Sequence, residues 1–448
     1  MTEVLILVAC AMCNAMAGTS ASSDAGSPGV DYVAKLNALV KRGQDESHNA
    51  EPYYRRALES CVELPGDLGG IDQWWPTQAS AEQRTMAKEW VQANAEALSQ
   101  LELGARKSGY WFQYRADRIA DIDQPGYIRQ TRILSTALVV RMRLRAVEGD
   151  VKSAIEDLVL CYRFGSDMKS RPLVTDQLVG IAILARTLET GFQILGRTKV
   201  DRDLRDVLQS RLAELSKDQD FVFDLRGDEL AALDAIQTVC AKWPASPKDV
   251  DFNSIDPAQK KCMDDAAAEF SRLLKLDLTI AEFWASVLSD PPDQLAQIVR
   301  MCYAYYDTVS AKTPWQWRRE GIDFLGDVRD LVGENLLLYM LVPAVQQQAQ
   351  LCSRARATHD ALMTTLALLK YRDDKGDLPD SLETLVSAGY LSRLPMDPYS
   401  DKPLIYKRTD GDFTLYSLAL NFRDNGGKPS LWGQDVVDGD QVFWPVPK

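Results

Sequence analysis

Apolar residues recur at helical spacing along most of this chain. From residue 133 onward they return every three or four positions, at Ile133, Ala137, Val140, Leu144 and Val147. That spacing places them on one face of an α-helix. Gly149 and Asp150 then end this helix and begin the next, because glycine terminates helices and aspartate caps their first turn. The pattern predicts consecutive helices that pack through apolar faces.

The same spacing predicts further helices at about Ala81–Leu101, Arg202–Ser216, Phe221–Ala241, Pro257–Leu274 and Asp293–Ser310. The stretch Val179–Ala185 is apolar on nearly every side, which is typical of a helix at the centre of a bundle. Strand-like alternation of any length is absent before Pro398. We therefore predict a mainly α-helical body over residues 31–332, built as an irregular helical bundle or a short solenoid.

The end of the chain has a different pattern. A long helix is predicted from Pro343 to Tyr371, ended by Gly376, and a short helix follows a cap at Asp380 or Ser381. Strands are then predicted at Leu404–Lys407, Phe413–Leu418 and Val442–Trp444, with Asp410-Gly411-Asp412 as the hairpin turn. This order predicts a small C-terminal α+β domain over residues 333–448, with the long helix packed on antiparallel strands.

The motifs of this domain have a recognisable order. They are Tyr371…Gly376…Leu378-Pro379, Tyr390-Leu391, Leu394-Pro395-x-Asp397-Pro398-Tyr399, Pro403-x-x-Tyr406, Tyr416-Ser417-Leu418 and Asp424-Asn425-Gly426-Gly427. Together they resemble the globular head of the major pseudopilin of type II secretion, over about a fifth of the chain from Thr358 to Lys448. The resemblance implies a long helix on a small antiparallel sheet, and a place in the cell envelope. The whole chain also resembles large helical envelope proteins of planctomycete-type bacteria.

The pseudopilin resemblance also implies a metal site. In that family a loop after the second strand binds Ca²⁺ through carboxylate and carbonyl oxygens, which are the hard ligands that calcium prefers. The matching loop here runs from Asn421 to Asp440 and offers Asp424, Asn425, Asp435, Asp438 and Asp440. It departs from the family at Ser417–Phe422, where a glycine and an aspartate of the family's segment are missing. A solvated turn without metal is the alternative.

The first 30 residues predict export. The apolar run Val4–Met12 precedes Ala15-Met16-Ala17, which has the A-x-A pattern of a signal-peptide cleavage site, and a Ser/Gly-rich spacer follows. Met1-Thr2-Glu3 lacks the positive charge that usually precedes such a run. We predict a signal peptide and spacer over residues 1–30 and a location in the periplasm or cell envelope. A lipid anchor at Cys10 is the second choice.

Charge and composition restrict the partners. Lys and Arg number 51 and Asp and Glu 64, so the formal net charge of the 448 residues is −13. Such a chain repels phosphate backbones, and we expect no nucleic-acid partner. The sequence has two histidines, which disfavours His-rich metal sites. We interpret His48 as solvated and His359 as a surface or packing residue. Cys240 and Cys262 flank a proline-containing loop and are the first pair to test for a disulfide.

The segment Arg226-Gly227-Asp228-Glu229 supplies weak catalytic candidates. Paired carboxylates can act as general acid and base. Asp228 and Glu229 are adjacent, however, so their side chains diverge on a helix. The first turn of a helix also favours acidic residues, because they oppose the positive end of its dipole. A structural role for both residues is therefore preferred.

Aromatic residues cluster at predicted helix borders, at Trp74-Trp75, Trp111 with Phe112 and Tyr114, and Trp315 with Trp317. They either fill gaps between helices or mark an exposed binding groove, and gap-filling is favoured.

Three functions fit these patterns. The first is an exported, non-enzymatic cell-envelope protein whose helical body contacts protein partners, with the membrane reached only through the N-terminal signal or a lipid anchor. The second is an extracytoplasmic hydrolase that uses carboxylates of the helical body. The third is a cytosolic helical-repeat adaptor. A deep cleft that places Asp228 or Glu229 beside another carboxylate would favour the hydrolase.

Overall fold

A computed structural model describes residues 29–242, 261, 286–342 and 345–446, apart from 42, 44, 67–69, 72–74, 123, 288 and 431–437. The predicted signal peptide, most of the predicted helix Pro257–Leu274 and the side chains of Cys240 and Cys262 lie outside the described part of the chain. The cysteines Cys61, Cys161, Cys302 and Cys352 are free thiols.

Helices make up most of the described chain, as the apolar spacing predicts. In chain order they are α1 (Tyr32–Leu39), α2 (Glu51–Ser60), α3 (Ala81–Ala93), α4 (Ala95–Ala105), α5 (Gln124–Val147), α6 (Val151–Lys169), α7 (Val174–Arg197), α8 (Arg202–Leu215), α9 (Arg226–Lys242), α10 (Pro292–Ser310), α11 (Pro314–Glu320), α12 (Phe324–Val332) and α13 (Leu336–Leu341).

Helices α6 and α7 make the most extensive contact between elements. The Asp150 side chain caps α6 by accepting the Ser153 N–H at 3.2 Å, as its position after Gly149 predicts. A Cβ at Gly180 of α7 would lie 2.3 Å from the backbone nitrogen of Lys169. Only glycine therefore permits this approach of the two backbones.

Helix α7 is long and apolar enough to cross a membrane, with a mean hydropathy of 1.4 over 18 residues. However, 61% of that stretch is buried within the protein. Its buried residues include the polar Asp176, Gln177, Thr187 and Thr190. The apolar side chains of α7 are thus covered by neighbouring helices of the body, as the pattern of Val179–Ala185 predicts.

Two predicted helices differ from the observed ones. The single helix expected at Ala81–Leu101 is wrong, because the chain breaks between α3 and α4 at Asn94. The buried Asn94 amide accepts the Val62 N–H at 2.8 Å and donates to the Val62 carbonyl at 3.2 Å, so it ties the break to a distant loop. Likewise, α9 begins at Arg226 rather than Phe221, after a 3-10 turn at Asp218–Phe221.

The C-terminal region contains α14 (Gln346–Lys375), α15 (Leu382–Ser387), β1 (Ile405–Thr409), β2 (Asp412–Ser417) and β3 (Gln441–Trp444). Gly376 ends α14 in the left-handed conformation, with φ 78°, as expected of a glycine C-cap. The strands form one antiparallel sheet in the order β1-β2-β3. The third strand is where the sequence predicts it. The hairpin turn consists of Asp410 and Gly411, since Asp412 already belongs to β2 and pairs with Thr409.

Helix α14 joins the sheet to the body. It packs on α7 and α8 and also on β2 and β3. Phe192 of α7 stacks on Phe443 of β3, with ring centroids 6.0 Å apart. One hydrophobic core runs from Tyr32 to Trp444. The fold is thus mainly helical with a small three-stranded antiparallel sheet at its C-terminus, and the domain division at residue 332 stays a prediction.

Candidate functional site

The two catalytic candidates of α9 face different neighbours. Asp228 Oδ2 accepts the N–H of Val174 at 2.8 Å, which is one of the unpaired amides at the start of α7. A Cβ at Gly227 would lie 2.2 Å from the carbonyl oxygen of Pro172, so glycine is needed for this approach. Glu229 is half-buried. Burial raises the pKa of its carboxyl, and the positive charge of Arg300 partly opposes the rise. The divergence of the two side chains is as predicted, and the motif builds the α7–α9 contact.

The pKa of Asp228 is raised to about 7, mainly by burial and in smaller part by the nearby carboxylates of Asp176 and Asp224. The Val174 amide opposes this rise. In the unfolded chain the carboxyl titrates near its ordinary value of 3.8. Between these two values the folded state binds more protons, so stability falls as pH rises through this window.

We expect Asp228→Asn to remove that pH dependence, because asparagine still accepts the Val174 amide but does not ionise. From pH 5 to pH 8 the parent should lose about 2 kcal/mol of unfolding free energy that the variant keeps. This is less than the whole pKa shift would give, because Asp228 is only half-buried. Urea unfolding at both pH values measures this difference. Parallel pH profiles for the two proteins would contradict the assignment.

The acidic loop is held together by its own carboxylates. The buried carboxylate of Asp440 accepts the N–H of Asn425 at 3.1 Å and that of Gly427 at 2.7 Å. Asp424 accepts the Tyr416 hydroxyl at 2.8 Å, and Asp438 pairs with Lys428 Nζ at 3.1 Å. Burial raises the pKa of Asp440, and its two amide donors oppose the rise.

These contacts bear on the predicted calcium site. Asp435 lies outside the described residues. In the described part of the chain, no group of three or more His, Cys, Asp or Glu side chains is placed to hold a metal ion. The carboxylates of Asp424, Asp438 and Asp440 are each directed at protein donors instead. Calcium binding in this loop therefore stays a prediction that would require these contacts to rearrange.

Aromatic side chains at the helix borders mostly fill gaps. Trp75, Trp111 and Trp317 are buried, as the gap-filling interpretation predicts, whereas Trp74 lies outside the described residues. The Trp111 indole donates to Glu46 at 3.0 Å and the Trp317 indole to the Val309 carbonyl at 2.7 Å. A shallow groove of about 450 Å³ does lie beside Trp317, lined also by Phe422 and Arg318.

A larger cleft opens between α8, α14 and the loop at residues 388–395, with a volume of about 840 Å³. Ion pairs hold its walls together. Lys370 of α14 pairs with Asp206 of α8 at 3.0 Å, and Asp218 pairs with Arg356 at 3.1 Å. Three further pairs across the same junction are Arg202–Asp374, Arg205–Asp373 and Arg393–Asp218.

His359 lies in the wall of this cleft. The residue is 7% exposed, and its ring packs beside Phe221 at 5.3 Å and Tyr162 at 6.1 Å between centroids. Nδ1 lies 3.1 Å from Oδ1 of Asp360. Nε2 is buried and has no hydrogen-bond partner among the described residues. The packing role expected for His359 is thus observed.

The cleft itself was not predicted from the sequence. Its walls come from residues 209–218, 359–374 and 388–395, and no local pattern shows that these segments meet.

Comparisons of the chain with protein-family models, with curated proteins and with solved structures find no match.

Proposed function

We propose that the protein is an exported, non-enzymatic cell-envelope protein. Its helical body is a scaffold for protein contacts, and residues 333–448 form a pseudopilin-like head. The observation that supports this most directly is the order of elements after residue 345. A 30-residue helix, a short helix, a hairpin and a third strand follow one another, and the long helix packs on the sheet. This is the arrangement that the motif resemblance implies.

The described contacts of the acidic residues also support a scaffold over a hydrolase. Asp228 caps the start of α7, and Glu229 is influenced by Arg300 of α10. Neither residue lines either of the two clefts described above. Neither of these clefts therefore supplies the hydrolase alternative with a site built from its named carboxylates.

Site-specific photo-crosslinking in living cells tests the proposal. In one variant a photoreactive amino acid replaces the exposed Asp410, at the tip of the head's hairpin. In a matched variant it replaces the exposed Glu82 of α3, in the body. We expect both variants to form adducts with proteins of the cell envelope, and the adducts to differ between head and body. Adducts with cytoplasmic proteins alone would favour the adaptor alternative and contradict the proposal.

The proposal includes calcium in the loop Asn421–Asp440. Asp438 is the most informative residue, because its only described hydrogen-bond partner is the exposed Lys428, so its loss leaves the loop's backbone contacts intact. We expect isothermal titration to show Ca²⁺ binding to the parent protein, and Asp438→Ala to weaken it about tenfold, since calcium affinity follows the number of carboxylate ligands.

Asp401→Ala is the matched control, since Asp401 is exposed in a turn outside the loop, and it should bind like the parent. Absence of any calcium heat from the parent protein would rule out the site.

A further inference from the structure

We propose that the cleft between α8 and α14 binds an uncharged, polyhydroxylated ligand, in chemical class a saccharide. This site is distinct from the protein-contact role proposed above and does not depend on it. Its volume of about 840 Å³ falls within the range of about 300–1,000 Å³ that is usual for ligand pockets.

The walls of the cleft are held in place before any ligand arrives. Helices α8 and α14 pack on each other directly, and Lys370–Asp206 and Arg202–Asp374 link them at the surface. The Gln209 amide of α8 donates to the carbonyl of Tyr390 at 3.4 Å, so the loop at residues 388–395 is joined to the same wall. A preformed cleft loses little conformational entropy when it binds.

The charges in the walls are largely neutralised by one another. Asp218 is paired with Arg356 and Arg393. Asp374 is paired with Arg202, and Lys370 with Asp206. An anionic ligand would have to compete with an ion pair that already exists. The remaining charged residue of the lining, Asp360, already contacts His359 Nδ1 at 3.1 Å. An uncharged ligand can instead use the remaining lone pairs and hydroxyl groups of the walls.

Those remaining groups suit a ligand that carries many hydroxyls. Serine and threonine hydroxyls both donate and accept hydrogen bonds, and carboxylates accept several. Ser210, Ser216 and Ser392 line the cleft, together with the carboxylates already described. The half-buried ring of Tyr390 also lines the cleft and offers an apolar face for the C–H groups of a sugar ring. A peptide would need larger apolar anchors, or a free strand edge, than this wall offers.

His359 gives a second, independent indication. A carboxylate only accepts hydrogen bonds, so the contact with Asp360 places a proton on Nδ1. Nε2 is then an acceptor in the neutral ring and a donor in the imidazolium. A buried polar atom without a partner costs about 1–3 kcal/mol, and Nε2 is such an atom among the described residues. A hydroxyl group of the ligand both donates and accepts, so directly or through one water molecule it would supply the missing partner in either case.

Two binding measurements test this proposal. The protein is first applied to an array of uncharged and acidic oligosaccharides, and an oligosaccharide that binds is then titrated by calorimetry. Ser210→Trp fills the cleft from the exposed face of α8, and Val207→Trp is the matched control. Val207 is 51% exposed on the same helix and is not part of the cleft wall. We expect the parent and V207W to bind an uncharged oligosaccharide, and S210W to bind it about tenfold more weakly.

Imidazole nitrogen NMR gives a second readout in the same samples. The chain has two histidines, so the His48→Gln variant assigns the His359 signal. We expect the Nε2 resonance of His359 to shift on addition of the oligosaccharide in V207W and to shift less in S210W. No binding of any uncharged oligosaccharide, binding of acidic oligosaccharides alone, or equal affinity in S210W and V207W would overturn the proposal.

Discussion

Replacing Asp176 with alanine should lower the free energy of unfolding by about 3–5 kcal/mol, because it leaves a buried cation without its partner. Asp176 is 1% exposed. Its Oδ2 lies 2.9 Å from Arg171 Nε and accepts the Tyr114 hydroxyl at 3.0 Å. The Arg171 guanidinium lies 3.9 Å from the ring centroid of Phe112 and 4.1 Å from that of Tyr127, so aromatic rings rather than solvent surround the cation that loses its carboxylate.

Urea unfolding followed by circular dichroism measures this loss. Arg55→Ala is the control, since Arg55 is 61% exposed and forms a surface ion pair with Glu51, and it should cost at most about 0.5 kcal/mol. The double variant Arg171→Met, Asp176→Leu removes both charges and should recover most of the stability, because an apolar pair of similar volume carries no desolvation cost. A loss below 1 kcal/mol in D176A would show that the ion pair does not hold this part of the core together.

Replacing Asp397 with alanine should destabilise the sheet by about 3 kcal/mol, because several buried donors lose their acceptor. Asp397 is 2% exposed. Its carboxylate accepts the Tyr399 N–H at 3.0 Å, the Ser417 hydroxyl at 2.8 Å and the Leu418 N–H at 3.0 Å. These bonds tie the proline-containing turn to the end of β2.

Hydrogen–deuterium exchange localises the effect of the Asp397 change. We expect faster exchange in β2 and in the following residue Leu418, with α6 and α7 unchanged. Asp397→Asn keeps one oxygen acceptor and should lose about half as much stability. Asp401→Ala, in the same turn but exposed, should behave like the parent. Unchanged exchange in β2 of D397A would contradict this account of the turn.

Local features of the fold were predictable from the sequence. The cap at Asp150, the stop at Gly376 and the hairpin turn at Asp410 and Gly411 depend on neighbouring residues. The cap and the stop are found where the pattern places them, and the turn is one residue shorter than predicted because Asp412 belongs to β2. The break at Asn94 was not predictable. Its amide is satisfied by Val62, which lies 32 residues away, and apolar spacing carries no information about such a partner.

In the candidate sites, too, local features were predictable and long-range contacts were not. The divergence of Asp228 and Glu229 follows from their adjacency, but the hydrogen bond that Asp228 accepts comes from Val174, 54 residues earlier. The Arg171–Asp176 pair is close in sequence, yet the aromatic rings around it come from the separate segment at residues 110–127. The cleft around His359 requires three segments to meet. Long-range packing determines all three arrangements. The apolar pattern does not specify which distant residues will meet.

Export to the cell envelope is the central claim of the proposed function, and the mature N-terminus tests it most directly. Mass spectrometry of the intact protein, purified separately from the envelope and cytosolic fractions of the cells that make it, reports location and processing together. The proposal predicts a chain that begins at Gly18, after Ala15-Met16-Ala17, in the envelope fraction. A chain that retains Val4–Met12 and is found in the cytosolic fraction would contradict export and favour the adaptor.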